Sequence, residues 1–150
     1  MASERALPVG IARMTTEESV SGQVRRLLQR QAGDSALVER RRDRRYPFPT
    51  LMTLWPADGE RLETSFVIVG KDISDRGLGF FHQQPITCRR AVVVCELPGA
   101  EPMAFLVDIN WCRFTCHGWY ESGGRLLEAV TPPSLSIEDS TVLSYSSGRP

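Results

Sequence analysis

The sequence predicts an all-β domain, a small antiparallel barrel or sandwich of about six strands, set behind one amphipathic helix and ahead of a flexible tail. Three observations predict it. Between residues 46 and 130, short apolar or alternating runs recur and are broken by turn residues. Ahead of them, Val20, Val24, Leu27 and Leu28 fall at i, i+4, i+7 and i+8, one apolar stripe at helical period. Behind them, from Thr131-Pro132-Pro133 onward, Ser is frequent and large apolar residues are few, the composition of a mobile tail. The chain divides into an N-terminal extension (1–38), a β-rich body (39–130) and a tail (131–150), in which a short helix at 134–144 is the lesser alternative.

Residues 1–14 lack periodicity, contain Pro8 and Gly10, and read as a flexible lead. Thr15 stands three residues before Glu18, a capping box that opens a helix over about 16–31, which Gly33 and Asp34 end. Arg25, Arg26 and Arg30 lie mostly off its apolar stripe. So short a helix is marginal alone and must dock on the barrel, on a partner subunit or on another protein, its own barrel being the default.

Leu51, Thr53 and Trp55 then alternate with Met52 and Leu54. Asp58-Gly59 signals a hairpin into the run Phe66-Val67-Ile68-Val69. Residues 78–81 form the next short strand, and the β-branched run 91–97 stops at Pro98-Gly99. Phe105, Val107, Ile109 and Trp111 alternate with Leu106, Asp108 and Asn110, as in a half-buried strand, and Gly118 permits a turn into a last strand over 119–129. Closing these strands into a barrel would remove exposed edges.

The composition limits the function classes. With 150 residues and a hydrophobic fraction of 41%, the chain supports one modest core. Its net charge is zero, which argues against a protein whose whole surface grips nucleic acid. No apolar stretch reaches membrane-spanning length and the N-terminus lacks a secretory pattern, so the expectation is a soluble cytoplasmic protein without membrane insertion. Cys112, Cys116 and His117 are spaced C-x3-C-H without a second compact pair, a poor zinc pattern, so Cys88, Cys95, Cys112 and Cys116 read as buried or half-buried thiols. His82 and His117 read as packing or surface residues, and Trp55, Trp111 and Trp119 as core. No nucleophile–base pairing or metal constellation emerges, so no enzyme and no cofactor are expected.

Two segments carry chemistry. The first is Glu39-Arg40-Arg41-Arg42-Asp43-Arg44-Arg45-Tyr46-Pro47, a cationic density that by itself fits a solvated linker or a nucleic-acid patch. Arg is also the cation here, since Lys71 is the only Lys among 18 basic residues. The second is Asp72-Ile73-Ser74-Asp75-Arg76-Gly77-Leu78-Gly79, whose composition by itself makes only a turn. Gly77 there either takes a positive φ or lets something approach the backbone closely.

Together, Arg41-x-x-x-Arg45 followed by Asp72-x-Ser74-x-x-Gly77 resembles the PilZ family, which carries both patterns in this order around its first barrel strand. Asn110-Trp111-Cys112-Arg113 and Gly118-Trp119-Tyr120-Glu121 add to the likeness, which covers about residues 39–130. The resemblance implies a six-stranded antiparallel PilZ-type β-barrel that binds cyclic di-GMP in the bacterial cytoplasm. It further implies that Arg41 and Arg45 clamp guanine and phosphate, that Asp72 and Ser74 read a guanine edge, and that Gly77 shapes the loop. Arg40, just before the first motif, points to two stacked ligand molecules per site.

The chemistry fits these residue types. An Arg fork matches guanine O6 and N7 or phosphate oxygens, an ionised Asp accepts from the guanine N–H edge, and a residue without Cβ admits a flat base. Ligand should order the arginine segment and reposition the helix, a population shift acting in trans on an unidentified protein partner. Two other readings compete: a PilZ-like protein-interaction adaptor that ignores the nucleotide, and a small barrel binding single-stranded nucleic acid.

Overall fold

A computed structural model describes residues 7, 8, 10–13, 20–32 and 45–133. The helix α1 (Val20–Ala32) precedes eight strands: β1 (Tyr46–Pro47), β2 (Leu51–Asp58), β3 (Arg61–Leu62), β4 (Phe66–Ile73), β5 (Gly77–His82), β6 (Arg90–Cys95), β7 (Met103–Phe114) and β8 (Tyr120–Val130). Six of them run in the order β4-β5-β8-β7-β6-β2, and β2 pairs back onto β4, so the sheet closes into an antiparallel barrel. The two short strands are additions, β1 on β4 and β3 on β2.

Alternation in the sequence sets which residues fill the barrel. Met52 and Leu54 of β2, Ile68 of β4, Leu78 and Phe80 of β5, Val93 of β6 and Phe105 and Val107 of β7 point inward and are buried. The Asp58-Gly59 signal produces the β2–β3 hairpin, with Asp58 opposite Arg61 and Gly59 at φ 66°, and β4 follows it. The helix docks on its own barrel. Val24, Leu27 and Leu28 join the same core as the inward residues, and Val20 packs at its margin. The capping residues Thr15 and Glu18 and the stop at Gly33-Asp34 lie outside the described residues, as does the tail from residue 134 onward.

A second apolar cluster lies outside the barrel wall, where Val92 and Val94 of β6, Ala104 and Leu106 of β7 and Val130 of β8 meet Ile11. For residues 7, 8 and 10–13 this corrects the reading of a flexible lead; the rest of 1–14 lies outside the described residues. In its described part, Ile11 is buried, Arg13 pairs with Val130 as an antiparallel bridge, and Leu7 packs on the cluster. Ala12 and Thr131 bond reciprocally, Thr131 N to Ala12 O at 2.9 Å and Ala12 N to Thr131 Oγ1 at 3.1 Å. The segment is held by burial and edge pairing, which leave no periodic signal in so few residues.

Two irregularities direct side chains. In β4 the register shifts between Gly70 and Asp72, so Asp72 lies opposite Gly79. In β7 it shifts between Ile109 and Trp111, and Asn110 is the extra residue. A single extra residue reverses the parity of everything after it. Phe105 and Val107 therefore face the core, while Trp111 emerges on the outer face and is 44% exposed. That corrects the expectation of a core Trp111. Trp55 and Trp119 are half-buried.

Candidate functional site

The outer face of β4, β5, β8 and the second half of β7 carries the site. The pairings align Asp72 with Gly79, Gly79 with Gly123, and Gly123 with Trp111, one row across four strands. Residues paired in this way share a face, so Asp72 and Trp111 stand at the two ends of a floor made of glycines. Their Cα atoms are separated by three strand spacings, roughly 14 Å. Both side chains fold inward over that floor. A Cβ at Gly79 would come within 2.7 Å of Asp72 Oδ1, and one at Gly123 within 2.3 Å of the Trp111 indole Nε1.

Arg45 reaches this floor from the start of β1. Its Nη1 donates to Asp72 Oδ1 at 2.7 Å, across 27 residues of sequence, and a Cβ at Gly77 would lie 2.9 Å from its Nη2. The register explains the meeting, because Tyr46 pairs with Ile73 and Pro47 with Asp72. The Arg45 side chain is half exposed, so the pair contributes little to stability, on the order of 0–1 kcal/mol. Its value is positional.

Ser74 and Gly77 form the turn between β4 and β5. Ser74 N donates to Gly77 O at 2.9 Å, and Ser74 Oγ accepts from Gly77 N at 3.1 Å and from Arg76 N at 3.2 Å. Ser74 is buried, so its oxygen serves the loop rather than the open surface. Gly77 is not among the positive-φ glycines, and of its two expected roles close approach is the one observed, to Arg45 Nη2 and to the Gly124 carbonyl oxygen. Arg40 and Arg41 lie outside the described residues, as does most of the segment 36–46 expected to order on binding.

Charged groups border the floor on both sides. Beyond Phe81, Glu121 is buried and held by Lys71 and by Arg113 Nη2 at 2.9 Å; the Lys71 ammonium, then the Arg113 guanidinium, keeps its carboxyl below the ordinary value. On the other side, burial pushes the Asp108 carboxyl up, but hydrogen bonds from Arg89 and Arg90 outweigh it and leave it lowered. The Arg113 guanidinium also lies 5.8 Å from the centroid of the Trp111 ring, a cation–π distance. Trp111, Arg113, Gly79 and Gly123 belong to this surface and were not singled out as site residues from sequence. The signal that could have found the floor is the Gly123-Gly124 pair inside a strand, which marks close approach to the backbone.

Behind the floor, His82 Nδ1 donates to the Gln84 carbonyl at 2.7 Å, which leaves Nε2 to accept from the Ser122 hydroxyl at 2.7 Å. This is a serine–histidine pairing that the sequence did not reveal. Both residues have zero exposure, so it braces the β5–β8 seam and is closed to any substrate. Burial lowers the His82 pKa, against the hydrogen bond to Gln84. The thiols correct another expectation, since Cys112 and Cys116 are exposed, while Cys95 is buried and its pKa is pushed up to about 12. Among the described residues no cluster of His, Cys, Asp and Glu is arranged to hold a metal, and no helix is long and apolar enough to cross a membrane. No family model and no curated protein matches the chain.

Proposed function

We propose that this chain is a PilZ-type receptor for cyclic di-GMP, which binds on the glycine floor between Arg45 and Trp111 and signals to a protein partner. The observation that carries the reading is the meeting of the two motif segments: Arg45 bonds to Asp72 and overlies Gly77. Each residue has chemistry to offer a guanine dinucleotide. The Arg45 fork suits guanine O6 and N7 or a phosphate, and Asp72 keeps a second oxygen for guanine N–H donors. Trp111 offers an exposed indole on which a base can stack, worth about 1–3 kcal/mol in comparable sites. Ser74 fixes the turn that places Asp72 and Gly77.

Titration calorimetry with cyclic di-GMP, against GMP and GTP, tests this. Selective heat with the cyclic dinucleotide is expected. Arg45→Ala should weaken it by roughly ten- to over a hundredfold, the worth of one charge-assisted contact. A folded protein that gives no heat with cyclic di-GMP rules the receptor reading out.

The second reading is a protein-interaction adaptor. It draws on an apolar hollow lined by Val69, Phe81, Thr115, Cys116, His117 and Trp119. Next to it Leu51 and Val67, 65% and 61% exposed, leave an apolar strip on β2 and β4.

A further inference from the structure

We infer that Arg125 is a second phosphate-holding residue, facing Arg45 across Gly77, so that the ligand's two phosphodiesters are held from opposite sides of the floor. The inference rests on the receptor reading above and assigns a residue that lies in neither motif. Its basis is the register. Gly77 pairs with Arg125, and Arg125 pairs with Asp108, so all three share the outer face. The Arg45 guanidinium overlies Gly77 from one side. Arg125 stands one strand, about 4.8 Å, to the other side, and its side chain is exposed.

Unlike Arg45, Arg89, Arg90, Lys71 and Arg113 around the floor, Arg125 has no ion pair among the described residues. Arg45 has Asp72, Arg89 and Arg90 share Asp108, and Lys71 and Arg113 share Glu121. The Asp108 carboxylate next to Arg125 already takes Arg89 Nε at 2.9 Å, Arg89 Nη2 at 3.3 Å and Arg90 Nε at 3.2 Å. Among the described residues Arg125 has neither an ion pair nor a hydrogen bond from its guanidinium. The Arg45 guanidinium over Gly77 and Arg125 on the neighbouring strand thus meet at a position that bears no side chain, with Asp72 bonded to Arg45 and Asp108 already taken by Arg89 and Arg90. Such an arrangement repels itself when empty and attracts a dianion. A cyclic dinucleotide with two phosphodiesters supplies that dianion, one phosphate for each guanidinium. Arg125 is exposed, so its charge is removable without unfolding the barrel.

Titration of cyclic di-GMP into the full chain and into Arg125→Ala, Arg125→Gln and Arg125→Lys tests this, with Arg45→Ala alongside and thermal midpoints measured for each. Ala and Gln should bind about ten- to a hundredfold more weakly with unchanged midpoints, and Lys, a point charge without the fork, should fall between them and wild type. Arg125→Ala and Arg125→Gln binding like wild type while Arg45→Ala is impaired would overturn the role of Arg125 and leave the receptor standing. A wild-type chain that binds no cyclic di-GMP would overturn both.

Discussion

The outer wall of this barrel is built in two contrasting ways. Over β6, the first half of β7 and the end of β8 it is apolar, with Val92, Val94, Ala104, Leu106 and Val130 covered by Leu7, Ile11 and Leu62. Over β5, the start of β8 and the second half of β7 it carries glycines, an exposed indole and charges, with no segment across it among the described residues. β7 passes through both, buried on both faces in its first half and exposed in its last five residues. One region is buried under a covering segment and the other is left open. Side-chain size sets the difference, since branched residues give the covering segment something to pack on and glycines leave a floor low enough for a planar guest.

Substitutions on either side should separate the two roles. The largest effect belongs to the covered region. Leu106→Ala removes a side chain at 1% exposure and should lower the unfolding free energy by about 2–5 kcal/mol, read by urea denaturation, while cyclic di-GMP affinity stays at the wild-type level. Equal damage to affinity and stability would erase the contrast.

On the open region the pattern should reverse. Gly123→Val forces Trp111 off its seat, because even a Cβ would meet the indole at 2.3 Å. The exposed ring can swing away, so stability should change by no more than about 1 kcal/mol. Trp fluorescence should shift, and affinity should fall about tenfold, the lower end of one stacking contact. Unaltered affinity would remove Trp111 from the binding surface.

The smallest effect is one of pH, and it arises where the two regions share β8. Folded His82 is neutral with a lowered pKa, whereas in the unfolded chain it titrates near 6.5. Below that pH the unfolded state binds the extra proton, so stability should be constant above about 6.5 and decline as the pH falls towards the folded value. Glu121 and Asp108, lowered from 4.5 and 3.8, contribute throughout that window and are lost only at more acid pH. Urea midpoints between pH 8 and 5 should show the decline in wild type and lose it in His82→Gln. The same slope in both proteins would place its origin elsewhere.

The sequence carried the parts of the fold that depend on local period. The helical stripe of α1 and the alternation of β2 and β7 appear in the structure because packing against one core enforces them. Parity failed at Trp111, where one bulged residue, Asn110, turned an apparent core residue outward. The covering segment with Leu7 and Ile11 was missed because a few apolar residues beside Pro8 and Gly10 have no period to detect. At the site, the spacing of Arg45, Asp72, Ser74 and Gly77 was legible as a motif, and the β1–β4 register brings them together. Gly79, Gly123, Trp111 and Arg125 become neighbours only through pairing between strands distant in sequence, which no local pattern encodes.

The reciprocal bonds between Ala12 and Thr131 join positions 119 residues apart. They act as a clasp that brings the two flanks of the barrel to one point on its rim. A circular permutant that links these positions directly and opens the chain at the Gly99 turn would keep every strand pairing intact. Tension applied at the two flanks would load the clasp first, so it should part before any barrel strand does.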